Sequence, residues 1–539
     1  MPERSWWGWG TDAGALSDDE VQGIAEVLRR RFGVEARRRR PPAVADLDLP
    51  APRVSPPRSL AEITSMGAAD RAGHAMGKAF RDVVRALQGR LEHPPDAVLR
   101  PRSEEEVAAA LDWCASNQVA AIPYGGGSSV VGGVEPDVGD GYAGAVSLDL
   151  GALDRVLEVD PASQAARVQA GVLGPSLEAQ LRPAGLTLRH FPQSFEFSSL
   201  GGWVATRAGG HFATGPTHID DLVEGLRVVT PTGTLETRRL PASGAGPAPD
   251  RLFLGSEGIL GVITEVWLRL RPRPRFRAGG ACRFPDFLTG ATAVRALAQS
   301  GLMPSNCRLV DPAEAQVNGI GNGTEAVLLV GFESADHPVG AWAARAEELV
   351  QDHGGTPDVP WSGPEAGTPQ DKGAPGPSDA GAAWRDAFLR APYVRDVLVQ
   401  LGMVCETFET AVTWDRFEAL HATVTSAVHE ALEEVGAGSG TVTCRFTHVY
   451  SDGVAPYFTV VTPGRAGAEL EQWDTVKAAA QEAVLAAGGT VTHHHAVGRV
   501  HRPWYDRERP ALFGSVLQAA KATLDPAWVC NPGVLVDRP

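Results

Sequence analysis

No apolar run in this sequence reaches the roughly 20 residues that a membrane-spanning helix requires; glycine, proline or a charge interrupts each one sooner. The six cysteines, Cys114, Cys282, Cys307, Cys405, Cys444 and Cys530, stand singly. Without a Cys-x-x-Cys spacing they indicate neither a disulfide framework nor a zinc knuckle. Positive charge is also scarce: 49 Lys and Arg against 65 Asp and Glu leave a formal net charge of -16. That balance argues against a nucleic-acid binder, whose non-specific affinity rests on clustered cations. The one dense basic run, Arg37 to Arg40, precedes a Pro-rich stretch and reads as a solvated helix end rather than an anionic-surface contact. The first ten residues contain no apolar leader, and the closing Val536, Asp537, Arg538 and Pro539 match no peroxisomal or ER retrieval signal. A cytoplasmic protein is expected.

What is present is a long chain, 539 residues with 43% hydrophobic content, enough for more than one domain and too long for a short binding module. Residues 1–95 read as a helical extension, with helices near Asp18 to Arg31 and Asp70 to Leu91. A second unit, 96–272, opens on a helix with Ser103 as N-cap and Glu106 as its capping-box partner. Strand patterns follow at Val119 to Ile122, Ala145 to Leu150, Val156 to Val159, Ala165 to Ala170 and Val262 to Leu270. A helix is expected over Pro175 to Leu181, and a hairpin over Leu222 to Thr237 turning at Pro231 to Gly233. The third unit, 273–539, includes a Pro- and Gly-rich stretch at 354–381 expected to be a mobile loop. Mixed strands and helices in this order give an α+β class.

Pro123, Tyr124, Gly125, Gly126, Gly127, Ser128 and Ser129 open a loop holding five glycines by Gly133. Glycine permits positive φ and close backbone approach, and successive N–H groups in such a turn form a concave anion site suited to a diphosphate. A purely structural turn explains the same residues. The pattern is neither a Rossmann fingerprint nor a Walker A loop.

Two later segments are read with this loop. The first carries Gln193, Ser194, Phe195, Glu196, Phe197, Ser198 and Ser199, then Thr206, Arg207, Ala208 and Gly209. The second carries Glu257, Gly258, Ile259, Leu260, Gly261, Val262 and Ile263. Together, the three ordered segments resemble the FAD domain of the PCMH/vanillyl-alcohol-oxidase flavoproteins. That resemblance implies a two-part FAD-binding domain, with these residues holding the cofactor, and a cap or substrate domain built on an antiparallel sheet flanked by helices. Some members tether FAD through a histidine in the first loop. The matching position here is Gly127, so non-covalent FAD is expected. Flavin loops license redox or N5-adduct chemistry without choosing between them.

Toward the carboxyl end stand His493, His494 and His495 after the β-rich Thr490-Val491-Thr492. On a strand, His493 and His495 share one face and His494 points oppositely. A hydrogen-bonded strand end, a metal site through His493 and His495, and a pocket-facing base all fit. From the residues alone Tyr457 reads more readily as a core tyrosine than as a catalytic one, and Arg395 and Arg308 as surface ion-pair partners or anion binders. The surrounding blocks, Cys307 to Asp311, Tyr393 to Asp396, Glu406 to Thr410, Thr413 to Arg416 and Tyr450 to Phe458, are similar to the alkyldihydroxyacetonephosphate synthase family, as is the amino-terminal Trp7 to Gly10.

The resemblance implies that Tyr457 is the acid/base, Arg395 grips the substrate phosphate, and Arg308 and the three histidines support activity. No metal is implied. The implied reaction exchanges the acyl chain of acyl-dihydroxyacetone phosphate for a fatty alcohol, with flavin N5 capturing the headgroup. Tyr457 as a base needs a nearby cation to hold its phenolate, for which His494 or His495 is expected. The segment Asp525 to Gly533 is instead more like the FAD-linked 2-hydroxy-acid dehydrogenases, which act on glycolate- or lactate-type alcohols by hydride transfer to N5. That second reading stays open. A long-chain substrate needs an apolar tunnel, expected after Arg271. A homodimer is a family expectation, and a peripheral membrane contact stays open.

Overall fold

Caps written into the sequence set the first helices. Ser17 accepts a hydrogen bond from the Glu20 amide while the Glu20 carboxylate accepts from the Ser17 amide, and Gly33 ends the helix Asp18–Phe32 at φ 67°. The computed structural model describes residues 4–211, 214–361 and 379–539. Ser103 caps Glu104–Asn117 as expected, accepting from the Glu106 amide. The Glu106 carboxylate, however, accepts from the amide of Arg102, one residue earlier than the expected reciprocal partner. The helix expected over Asp70 to Leu91 is two short ones, Ala68–Gly73 and Phe80–Leu87. Between them Lys78 N donates to Ser129 O at 2.6 Å, and a Cβ on Gly77 would lie 2.2 Å from that same oxygen. This close approach to the glycine loop breaks the helix.

Three sheets organise the chain. In the first, Ala97–Leu99, Gly144–Asp149 and Val119–Tyr124 run parallel, and Thr64–Ser65 adds an antiparallel edge. The second is antiparallel, in the order Val156–Asp160, Ala165–Gln169, Val262–Arg269, Val223–Thr230, Gly233–Glu236. The expected hairpin closes with Thr230 opposite Gly233. The third has eight antiparallel strands and belongs to the carboxyl-terminal half. Its central strands are Ala326–Ser334, Asn306–Val310, Thr441–Val449 and Gly453–Pro463, with Met403–Glu409 along one edge beside Gly453–Pro463. The chain is α+β, with helices against these sheets.

One face of the third sheet is covered by Phe287–Gln299, Gly340–Asp352, Trp414–Glu434 and Glu469–Ala486, with Phe284, Phe408, Phe446 and Phe458 fully buried in the core between. Burying such rings contributes about 1.5–3 kcal/mol each. Of the loop expected at 354–381, residues 362–378 lie outside the described residues. Its start is structured: Thr356–Pro357 pairs with Phe276–Phe284, and Trp361 is fully buried with its indole N–H donating to Ala281 O at 3.3 Å. Its end, from residue 379, belongs to the helix Asp379–Gln400.

Candidate active site

Strand side chains alternate between faces, and in the third sheet that alternation builds a floor. Phe446 and Phe458 point to the helices, whereas Thr443, Arg445, Tyr457 and Thr459 face a cavity of about 920 Å3. Register sets Arg445 opposite Tyr457 and Thr443 opposite Thr459, and on the other flank Glu409 opposite Tyr457. The period-two polar spacing of Thr441, Thr443, Arg445 and Thr447 is a signal visible in the sequence that our sequence reading did not use.

Tyr457 is buried, and the guanidinium carbon of Arg445 sits 3.9 Å from its ring centroid. Burial raises the phenol above its ordinary value, and Arg445 pulls it back part of the way. Arg445 is itself ion-paired to Glu314, whose other carboxylate oxygen accepts from Thr443 Oγ1 at 3.0 Å. The expected partners His494 and His495 stand further off, at ring separations of 6.1 and 5.4 Å. Burial pushes His495 down to about 3, so it offers Tyr457 no cation at neutral pH. The cation over the ring is therefore Arg445.

Arg308 lines the same cavity, fully buried between the rings of Trp384 and Phe388 at 5.4 and 5.2 Å. Burial and the nearby Arg445 push it down to about 9, and its Nε has no hydrogen-bond partner. Arg395 also lines the cavity, but from the helix Asp379–Gln400. Its Nε and Nη2 donate to Asp396 Oδ1 at 3.0 and 2.6 Å, and its Nη1 donates to Lys78 O. Buried Lys78 joins it there, pushed down to about 8 by burial.

The opposite wall comes from the three glycine-bearing segments, which touch one another. A Cβ on Gly125 would lie 2.0 Å from Ser199 Oγ, one on Gly126 1.8 Å from Phe197 O, and one on Gly258 2.9 Å from Pro123 Cγ. Only glycine permits this approach. Among the described residues, the N–H groups of Gly125, Gly126, Gly127 and Ser128 have no hydrogen-bond partner within the protein. Gly125 to Ser128 line the cavity, so these donors form a cradle fitted to a diphosphate. Gly127, at φ 65°, leaves no room for a side chain beside the Tyr124 hydroxyl, 1.9 Å from a Cβ there, and has none to tether a cofactor.

Most of the expected cofactor residues line this cavity: Pro123 to Ser129, Gln193, Ser194, Ser198, Ser199, Thr206, Ala208, Gly209, Glu257, Gly258, Gly261 and Ile263. Others do not, each for a packing reason. Ile259, Leu260 and Val262 are fully buried in the apolar cores behind the wall. Arg207 turns away to Asp220, 2.8 Å from its Nε. Phe195 stacks on Trp203, Phe197 meets Trp9 edge-on, and Glu196 lies by Tyr393 in a separate small pocket.

Gln193 ties the glycine-bearing wall to the helix Asp379–Gln400. Pro392 has no N–H to give the Phe388 carbonyl its helical bond, and Gln193 Nε2 donates to that oxygen at 3.2 Å. Helix Asp18–Phe32 adds an apolar corridor with this cap helix. Leu16, Ile24 and Leu28 face Ala391, Val394 and Leu398 along the cavity. One wall of the tunnel expected after Arg271 thus comes from the amino-terminal extension.

The three histidines are not on a strand. They form a loop that wraps the carboxylate of buried Glu409, which accepts from the amides of His493, His494 and His495 at 2.7, 3.1 and 3.0 Å and from Thr492 Oγ1 at 2.6 Å. These amides therefore make no ladder. Burial opposes charge on Glu409, yet the imidazoles of His494, His495 and His493 hold its carboxyl well below the ordinary range. His494 and His495 face the cavity while His493 lies behind them.

Nitrogens of His448, His493 and His494 come within 4.8 Å of one another, as do ligand atoms of Glu409, His494 and His495. Most are committed to hydrogen bonds: His448 Nε2 lies 2.7 Å from Gly210 O, and His493 Nε2 lies 2.7 Å from the Tyr450 hydroxyl. Sequence reasoning missed Arg445, Glu409, His448 and Lys78. All four acquire their roles through partners distant in the chain.

Residues 95–238 match the FAD binding domain family, and residues 273–535 the C-terminal domain of FAD linked oxidases. The chain is 31% identical over 494 residues to an alkyldihydroxyacetonephosphate synthase of Dictyostelium discoideum, covering 86% of this chain and 77% of that one. It is 26% identical over 449 residues to the glycolate oxidase subunit GlcD of Bacillus subtilis, covering 81% and 88%. A solved alkyldihydroxyacetonephosphate synthase superposes with TM-score 0.79 at 25% identity, covering 98% of this chain and 97% of that one. FAD is the cofactor these families share, and no helix among the described residues is long and apolar enough to cross a membrane.

Proposed function

This chain belongs to the alkyldihydroxyacetonephosphate synthase family of FAD-linked oxidases, and from that membership we propose that it exchanges the acyl chain of acyl-dihydroxyacetone phosphate for a fatty alcohol. The observation that carries this reading is the buried Tyr457 under Arg445 in one cavity with the flavin wall and an apolar corridor. The Gly125 to Ser128 cradle and the Gln193 and Glu257 segments would hold FAD, which would supply an electrophilic ring system and chemistry with no net redox change. The remaining work falls to side chains.

Tyr457 takes the proton from the carbon beside the ketone and later returns it. Arg445 stabilises the phenolate in a water-poor site, where such a charge contact is worth far more than in water. Arg395 and Arg308, with Lys78, give the cavity fixed positive charge for a dianionic phosphate. Three donors of Arg395 are already engaged, which orients its remaining N–H edge. The corridor of Leu16, Ile24, Leu28, Ala391, Val394 and Leu398 houses the chain. A glycolate-sized substrate leaves that corridor unfilled, which favours the transferase over the 2-hydroxy-acid dehydrogenase.

The test is incorporation of labelled hexadecanol into acyl-dihydroxyacetone phosphate by the FAD-loaded protein. One fatty acid released per alcohol incorporated is expected, with incorporation lost in Tyr457→Phe. No incorporation by the wild-type protein refutes the reading.

A further inference from the structure

Behind the cavity, a chain of ring contacts runs from His494 toward the protein exterior. His494 Nδ1 lies 3.1 Å from His493 Nδ1, and His493 Nε2 lies 3.0 Å from His218 Nε2 and 2.7 Å from the Tyr450 hydroxyl. His218 Nδ1 faces Arg207 O at 3.0 Å, and the Tyr450 hydroxyl faces Thr217 Oγ1 at 3.0 Å. His218 and Tyr450 are only partly buried, while His448 packs beside His493 and His494 at ring separations of 4.8 and 5.3 Å.

The proton positions follow from the fixed end. A carbonyl can only accept, so His218 carries its proton on Nδ1 and presents a lone pair at Nε2. His493 must then donate from Nε2, because two lone pairs 3.0 Å apart repel. With that nitrogen protonated, His493 Nδ1 is the acceptor, and His494 must donate from Nδ1. Glu409 Oε2, 3.3 Å from His494 Nδ1, can accept only and asks for the same proton. Burial pushes His493 and His218 below the ordinary imidazole value, so each carries one proton at neutral pH. His494 Nε2 has no hydrogen-bond partner among the described residues, and His494 lines the cavity.

We propose that His218 and Tyr450 are positioning residues that act through His493 to hold His494 with its proton on Nδ1, so that His494 Nε2 turns a lone pair into the cavity beside Tyr457. Exchange of an ester-linked chain for an ether-linked one breaks the acyl oxygen–carbon bond and forms an alkyl oxygen–carbon bond. The acyl group leaves as carboxylate, so the hydroxyl proton of the incoming alcohol is released once per turnover. His494 Nε2 takes that proton. The Nδ1 proton of His494 shifts to His493 Nδ1, the Nε2 proton of His493 to His218 Nε2, and the half-buried His218 returns one to water. This use of the tautomer rests on the function proposed above; the tautomer itself does not.

The experiment records 15N spectra of histidine-labelled, FAD-loaded protein, with His494 signals identified by their loss in His494→Gln, beside steady-state kinetics with acyl-dihydroxyacetone phosphate and hexadecanol. In the wild type, His494 Nε2 is expected to resonate as a bare nitrogen and Nδ1 as a protonated one. His218→Phe combined with Tyr450→Phe should mix the two tautomers and lower kcat about tenfold with KM changed less than about twofold. His218→Gln, whose amide oxygen still accepts from His493 but cannot carry a proton on to water, should keep the wild-type spectrum while kcat falls as in the double variant. A protonated Nε2 in the wild type, or an unchanged spectrum in the double variant, overturns the inference whatever the substrate. Absence of turnover in a wild type with the expected spectrum overturns only the proposed function.

Discussion

Arg445 and Tyr457 stand directly opposite each other on neighbouring strands, with the guanidinium carbon 3.9 Å from the phenol ring centroid. The contact favours the phenolate against the burial that opposes it. Replacing Arg445 with Met and its partner Glu314 with Gln together, so that no buried charge is left unpaired, should raise the Tyr457 pKa further. The rising limb of the pH–rate profile is then expected to move alkaline, and the rate at neutral pH to fall by about tenfold or more. A limb that stays in place assigns the phenolate to another cation.

Glu409 gathers three backbone amides and one hydroxyl. Glu409→Ala orphans all of them in a buried loop, at a cost of about 3 kcal/mol or more. The urea midpoint measures this, and Glu409→Gln, which retains an acceptor oxygen, should lose clearly less.

Buried Glu257 accepts from the amides of Val497 and Gly498 at 2.9 and 2.8 Å, yet burial raises it to about 7. Because the folded value lies above the unfolded one, its stabilisation is full below the ordinary value of 4.5 and is lost as pH rises through about 7. Melting temperatures of wild type and Glu257→Gln across that window check this: the wild type should lose stability relative to the variant as pH rises. His495, pushed down to about 3, has the opposite sign, its contribution present above 6.5 and lost as pH falls toward 3.

The amino-terminal segment is bolted to the cofactor wall. Arg4 Nη1 donates to Gly126 O at 2.8 Å, Trp9 meets Phe197 edge-on at 5.6 Å, and Lys78 Nζ donates to Ser5 O at 3.2 Å. Arg4→Ala with Trp9→Ala should speed FAD dissociation by about tenfold, about 1.4 kcal/mol of lost restraint. Recovery of free-flavin fluorescence after dilution measures it.

Local signals were the legible ones. The helix cap at Ser103, the Thr230 and Gly233 hairpin and the glycine loop all depend on neighbours within a few residues, and each stands where the sequence placed it. The histidine segment misled because Thr490, Val491 and Thr492 alternate like a strand, while Glu409, more than 80 residues earlier, takes the amides a ladder needs. The cation for Tyr457 escaped for a related reason. His494 and His495 stand out by sequence, but burial removes the charge of His495, both rings stand further from Tyr457 than the Arg445 guanidinium does, and Arg445 reaches the ring only through strand register. The amino-terminal wall of the corridor exists only once helix Asp18–Phe32 meets helix Asp379–Gln400, more than 300 residues later in the chain.

The most direct test is an anaerobic spectral titration of the FAD-loaded protein with acyl-dihydroxyacetone phosphate and, separately, with glycolate and D-lactate. The account predicts that the acyl substrate perturbs the flavin spectrum and that the perturbation reverses on adding fatty alcohol, while both hydroxy acids leave the oxidised spectrum intact. Reduction of the flavin by either hydroxy acid, with no response to the acyl substrate, contradicts it.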